Sequence, residues 1–136
     1  MPTHIGENGQ GLVLKLAINI SLAVQMLAFA EGLLLAERAG IDPGAAGEVM
    51  AASPIGSPML KARLPLILDL PDEAWFDIGL MQKDIVLALD AARELCVPLP
   101  AAATADEVLT FARAAGYEHR DLASLFEVLA KLTQLP

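Results

Sequence analysis

From Gly9 to Ala39 the chain runs without a proline, and between Lys15 and Glu37 its only charged residue is Glu31. Leu, Ala, Gln, Met and Glu dominate this stretch and favour helix. Gly40 stands where a left-handed C′ residue belongs, after the basic last turn at Arg38. One helix of roughly 45 Å is therefore expected from Gly9 to Ala39. It is apolar nearly all round through its middle, so it needs cover on most sides. A chain of 136 residues rarely surrounds such a helix alone. A homo-oligomer, a dimer or higher, built through this first helix is the expected solution.

The same stretch must be tested as a membrane span or a secretion signal. The uncharged run from Leu16 to Ala30 falls short of the ~18–20 apolar residues a span requires, and Asn19, Ser21 and Gln25 interrupt it. Ala28-Phe29-Ala30 imitates a signal-peptidase site, but the preceding segment, with Glu7 and one lysine, makes a poor n-region. The reading is a core helix, with no membrane as partner.

Downstream, Asp42-Pro43 opens a short helix to about Ala52. Ser53 to Pro58 is a turn-rich junction, followed by a short helix near Met59 to Arg63. Leu64 to Asp72 holds two prolines and reads as extended or irregular. A long amphipathic helix fits Asp77 to about Cys96, with Ile78, Met81, Ile85, Leu87, Leu89, Ala92 and Leu95 as its apolar positions. Pro98 and Pro100 end it, and a further helix covers Ala101 to Ala115 before Gly116. Thr104 and Glu107 have capping-box spacing, but the helix starts earlier, at Pro100, so the match is a decoy. Asp121 caps a last helix through about Leu132. No segment alternates with period two. The fold class is all-α, a bundle around one long central helix, in a single domain over residues 1–136.

Charge narrows the function. With 9 Lys+Arg against 17 Asp+Glu the net charge is −8, and no basic run exists, which argues against nucleic acid and anionic membrane surfaces. Cys96 is the one cysteine, so no internal disulfide can form. A cytoplasmic location is the default, and Cys96 itself reads as a small buried residue near a helix end. His4 and His119 lie far apart without metal-ligand spacing, so no metal is expected.

Three clusters could carry chemistry. The glycines of Gly6-Glu7-Asn8-Gly9-Gln10-Gly11 fall as GxxGxG, the reverse of the dinucleotide fingerprint, with no strand ahead of them. They serve either as a flexible lead-in or as a place where a substrate approaches the backbone closely. Lys15 and Asn19, four apart, share a helix face. A lysine there is either a snorkelling side chain near a helix end or a desolvated general acid/base. Phe76, Leu80 and Lys83 fall on one stripe of the fourth helix. Lys83-Asp84 is by spacing alone compatible with a solvated ion pair.

Taken in order, Gly6-x-x-Gly9-x-Gly11-x-x-x-Lys15-x-x-x-Asn19, Gly40-Ile41-Asp42-Pro43, Phe76-x-x-x-Leu80-x-x-Lys83-Asp84 and Val97-Pro98-Leu99-Pro100 resemble the C-terminal helical domain of the β-hydroxyacid dehydrogenases. That is the family of 3-hydroxyisobutyrate dehydrogenase and tartronate semialdehyde reductase. The resemblance implies a fold like the C-terminal domain of 6-phosphogluconate dehydrogenase. It also implies an active site in the cleft with an N-terminal Rossmann domain, which this chain lacks. Lys15 would then be the catalytic lysine, Asn19 would hold the substrate, Gly9 and Gly11 would line its approach, and Lys83 would contact NAD or NADP. The cofactor would be bound mainly by the missing Rossmann domain. The implied reaction oxidises a small 3-hydroxy acid, such as 3-hydroxyisobutyrate, to its semialdehyde, and the chain alone would be inactive. Ile18 stands where the family often has the first of two asparagines, which loosens the substrate assignment. The alternative is a non-catalytic helical oligomerisation module derived from the same fold.

Overall fold

The computed structural model describes residues 9–134. Six α-helices follow in order: α1 (Gln10–Arg38), α2 (Pro43–Ala52), α3 (Pro58–Leu68), α4 (Ile78–Glu94), α5 (Pro100–Ala114) and, after a 3₁₀ turn (Leu122–Ser124), α6 (Leu125–Leu132). No strand occurs among the described residues; the one extended pairing is an isolated antiparallel bridge between Asp77 and Asp121. The expected all-α bundle around a long first helix is what forms, and α1 packs on α4, α6, α2 and α5 in turn.

Local chemistry explains most boundaries. Gly40 takes φ 96°. Its N–H reaches the Glu37 carbonyl at 3.0 Å and that of Ile41 reaches Ala36 at 3.0 Å, closing α1 as a Schellman motif. Asp42 accepts from the Ala45 N–H and Asp77 from the Leu80 N–H, with Pro43 in the first turn of α2. Helix α5 begins at Pro100, and Thr104 and Glu107 lie inside it, as expected.

Three expectations need correction. Helix α3 does not stop at Arg63: it runs through Pro65 to Leu68. Leu60, Leu64 and Ile67 form a buried stripe with helical spacing, and that burial outweighs the ~3 kcal/mol cost of an internal proline. Phe76 is not on α4 but ahead of its N-cap Asp77. Cys96 is exposed rather than buried. It sits one residue past the α4 C-cap, Leu95, in the left-handed conformation (φ 57°) that glycine usually supplies.

Helix α1 is, by length and composition, the helix among the described residues that could cross a bilayer. As expected, its own chain does not surround it, and its cover is partial. Ala23, Met26, Leu27, Phe29, Ala30 and Leu33 enter the common core, whereas Leu12, Val13, Leu14 and Ile18 are exposed. The remaining helices are too few to enclose its first third.

Candidate functional site

The exposed first third of α1 carries Lys15 and Asn19. Asn19 is 9% exposed although it lies on this open section. Its Nδ2 donates to the Asp84 Oδ2 at 2.7 Å, joining α1 to α4 across 65 residues of sequence. The contact is a hydrogen bond to a charged acceptor in a half-buried place, stronger than a neutral pair. It orients the amide, leaving Oδ1 without a donor among the described residues. Lys15, one turn earlier, is exposed and has neither hydrogen bond nor ion pair among the described residues.

Three consecutive residues of α4 point in three directions, as ~100° per residue requires. Asp84 faces α1. Gln82, also buried, faces α5. Its Nε2 lies 2.9 Å from Asp106 Oδ1 and 2.8 Å from Thr110 Oγ1, and its Oε1 accepts from Arg113 at 3.1 Å. Arg113 is held in turn by Glu118 at 3.2 Å. Lys83 sits between these two anchors, exposed, over a shallow groove of about 390 Å³ shared with Gly79, Val86 and Leu87. It too lacks an acceptor among the described residues, so the solvated Lys83–Asp84 pair does not form: Asp84 serves Asn19 instead.

Gly9 and Gly11 lie at the start of α1; Gly6, Glu7 and Asn8 fall outside the described residues. Gly9 needs to be glycine for its φ of 93°, but Gly11 has ordinary helical backbone and open space where a Cβ would stand. Nothing among the described residues requires glycine at residue 11. Open space beside an exposed lysine suits close approach by a group from outside the chain.

Sequence reasoning missed two residues. Asp84 was visible only as a neighbour of Lys83. Asp121 is wholly buried; its Oδ2 accepts from the Trp75 and Phe76 N–H groups, and its Oδ1 from Ala123. It thereby fixes the turn that sets where α4 begins. Its capping position gave a signal, but its reach across to Trp75 gave none.

Among the described residues no cluster of His, Cys, Asp and Glu could hold a metal. Lys15 and Lys83, unpaired among the described residues on a chain of net charge −8, suit contact with anionic or carbonyl groups of a dinucleotide and a small acid. Matching independently, the family described as NAD-binding of NADP-dependent 3-hydroxyisobutyrate dehydrogenase covers residues 9–129. The chain belongs to this family. It is 32% identical over 126 residues to glyoxylate/succinic semialdehyde reductase 2, chloroplastic, of Arabidopsis thaliana, covering 93% of this chain and 35% of that protein. To the 2-hydroxy-3-oxopropionate reductase of Escherichia coli K12 it is 32% identical over 127 residues, covering 93% of this chain and 44% of that protein. A crystal structure of 3-hydroxyisobutyrate dehydrogenase from Salmonella typhimurium superposes with a TM-score of 0.78 at 30% identity, over 85% of this chain and 40% of that one. The chain thus spans less than half the length of these relatives.

Proposed function

We propose that this family member is the helical, substrate-facing part of an NAD(P)-dependent dehydrogenase that interconverts a small 3-hydroxy acid, 3-hydroxyisobutyrate-like, and its semialdehyde. The observation that carries the reading is the coupling of Lys15 and Asn19 on α1 to Lys83-Asp84 on α4 through the 2.7 Å Asn19–Asp84 bond. That bond orients the Asn19 amide one helical turn from the solvent-facing Lys15, and Lys83, also solvent-facing, adjoins Asp84 in sequence. A packing role alone would need neither lysine, which is why the oligomerisation-module alternative is less well supported.

In this reading Lys15 exchanges the proton of the substrate hydroxyl, acting as base in oxidation and acid in reduction. Asn19, fixed by Asp84, holds the same oxygen and keeps it at the lysine. Lys83, on the outward crest of α4, touches the bound cofactor. The nicotinamide, when bound, takes or gives the hydride. Water exclusion over Lys15 must come from outside these helices, because Lys15 is exposed within them. In the same reading, the main cradle for the dinucleotide is supplied from beyond residues 9–134.

The test is a chimera: residues 9–134 joined behind the portion of the E. coli reductase that this chain does not cover. It should turn over a 3-hydroxy acid with NAD or NADP. Lys15→Ala should lower kcat by roughly 10²–10⁴-fold with an unchanged helical circular dichroism spectrum. Undiminished turnover would remove Lys15 from the chemistry.

The exposed apolar start of α1 is read as the oligomer face. Leu12, Val13, Leu14 and Ile18 are a large apolar set for a surface helix. Light scattering at ~10 μM should show at least a dimer; a clean monomer would count against this face.

A further inference from the structure

The groove over α4 and α5 gathers four charged side chains, Lys83 and Arg113 against Asp106 and Glu118, around the amide of Gln82. Coulomb attraction favours pairing between an exposed lysine and a carboxylate that shares its groove. Yet Lys83 has no ion pair among the described residues. Both acids are engaged by other donors. Gln82 Nε2 lies 2.9 Å from Asp106 Oδ1 and 3.2 Å from the Asp106 carbonyl oxygen. Arg113 donates to Gln82 Oε1 at 3.1 Å through Nη1 and meets Glu118 Oε1 at 3.2 Å through Nη2.

Gln82 is buried, and a buried amide is costly unless its donors and its acceptor are met. Here both ends are met, with Thr110 Oγ1 a further acceptor at 2.8 Å. An apolar side chain of the same size would fill the space without that requirement. What the amide adds is direction. Its one end donates to a carboxylate while the other accepts from a guanidinium, and it carries no charge of its own. A glutamate would repel Asp106, and a methionine would hold neither neighbour.

We propose that Gln82 is a positioning residue for Lys83. By engaging Asp106 directly, and Glu118 through Arg113, it keeps both carboxylates from capturing the ammonium group. Lys83 is thereby left uncommitted for an anionic or carbonyl group of the cofactor. The word cofactor rests on the dehydrogenase reading; the freedom of Lys83 stands on the groove itself.

The test measures acylation of Lys83 in the whole chain by limiting acetic anhydride, read by peptide mass spectrometry, with the exposed Lys61 as internal reference. Gln82→Met should slow Lys83 relative to Lys61 about two- to five-fold, the strength of an exposed ion pair. Asp106→Asn alone should leave the ratio unchanged. Added to Gln82→Met it should restore the ratio, a coupling read as a double-mutant cycle. Damaged packing would not be repaired by removing a second polar partner. Arg113→Met gives a second route from the half-exposed end of the network, and decides the matter if Gln82→Met fails to fold by circular dichroism. It frees Glu118, so Lys83 should slow there too, and Glu118→Gln should restore it. In the chimera, Gln82→Met should raise KM for NAD or NADP more than it lowers kcat, and Asp106→Asn should reverse that rise.

Unchanged Lys83 acylation in a folded Gln82→Met chain would overturn the proposal. So would slowed acylation that neither Asp106→Asn nor Glu118→Gln repairs. The acylation readout needs neither cofactor nor turnover. A chimera without activity, in a chain whose Lys83 follows the cycle, would sink the dehydrogenase reading and leave the role of Gln82 standing.

Discussion

The two ends of α1 are made of nearly the same residues and do opposite jobs. From Ala23 to Leu33 the helix supplies the centre of the core, and Leu33 is fully enclosed (0% exposed). Between Leu12 and Ile18 equally apolar side chains, Leu16 apart, stand in the open, with Ile18 61% exposed. Hydrophobicity alone therefore does not say where a long helix is buried. The covering elements decide: α2, α3 and α6 gather around the later part of α1, while its first turns meet little beyond α4. The exposed end is also where the uncommitted polar groups, Lys15 and the Asn19 Oδ1, are found. One end stabilises the fold; the other faces what the fold is for.

That contrast can be broken by mutation. The largest expected effect is the roughly 10²–10⁴-fold loss of chimera turnover in Lys15→Ala, with a urea midpoint unchanged because Lys15 contacts nothing in the core. Next, Leu33→Ala should cost about 2–5 kcal/mol in urea unfolding, since nothing around Leu33 can relax outward. An effect confined to activity would show that the core end is not what holds the bundle. Asp84→Ala crosses the two categories. It leaves the half-buried Asn19 amide without its acceptor, so a loss of about 1–3 kcal/mol is expected together with a fall in chimera turnover. Unchanged turnover there would make the Asn19–Asp84 bond purely architectural. Smallest is Leu12→Ser, within about 0.5 kcal/mol in denaturation yet expected to weaken self-association by light scattering. A destabilised monomer would mean that the exposed end packs inside the chain after all.

What was legible in the residues follows the range of the physics involved. Gly40, the Asp42-Pro43 pair, Asp77, Pro100 and Gly116 act within a turn of themselves, and each marks a helix boundary where the structure has one. The ordered motif through Lys15, Asn19, Lys83 and Asp84 pointed to the family that residues 9–129 match. Misreadings came where distant contacts outvote local preference. Pro65 argued for a break, but the stripe of Leu60, Leu64 and Ile67 carried the helix on. Phe76 fitted the periodicity of α4, yet Asp121, 45 residues away, holds its N–H in a turn. Cys96 looked like a buried residue, but the close of α4 put it outside.

The arrangement of Gln82, Lys83 and Asp84 makes α4 sensitive to its own phase. Each residue serves a different client: α5, the solvent side and α1. Deleting a single residue ahead of them would turn all three by ~100°, handing the amide's place to the lysine and burying a cation against Asp106. Substitutions elsewhere on the helix change one contact at a time, but an insertion or deletion would misassign every one at once. Length between Asp77 and Asp84 is thus expected to be as strictly kept as any side chain in the site.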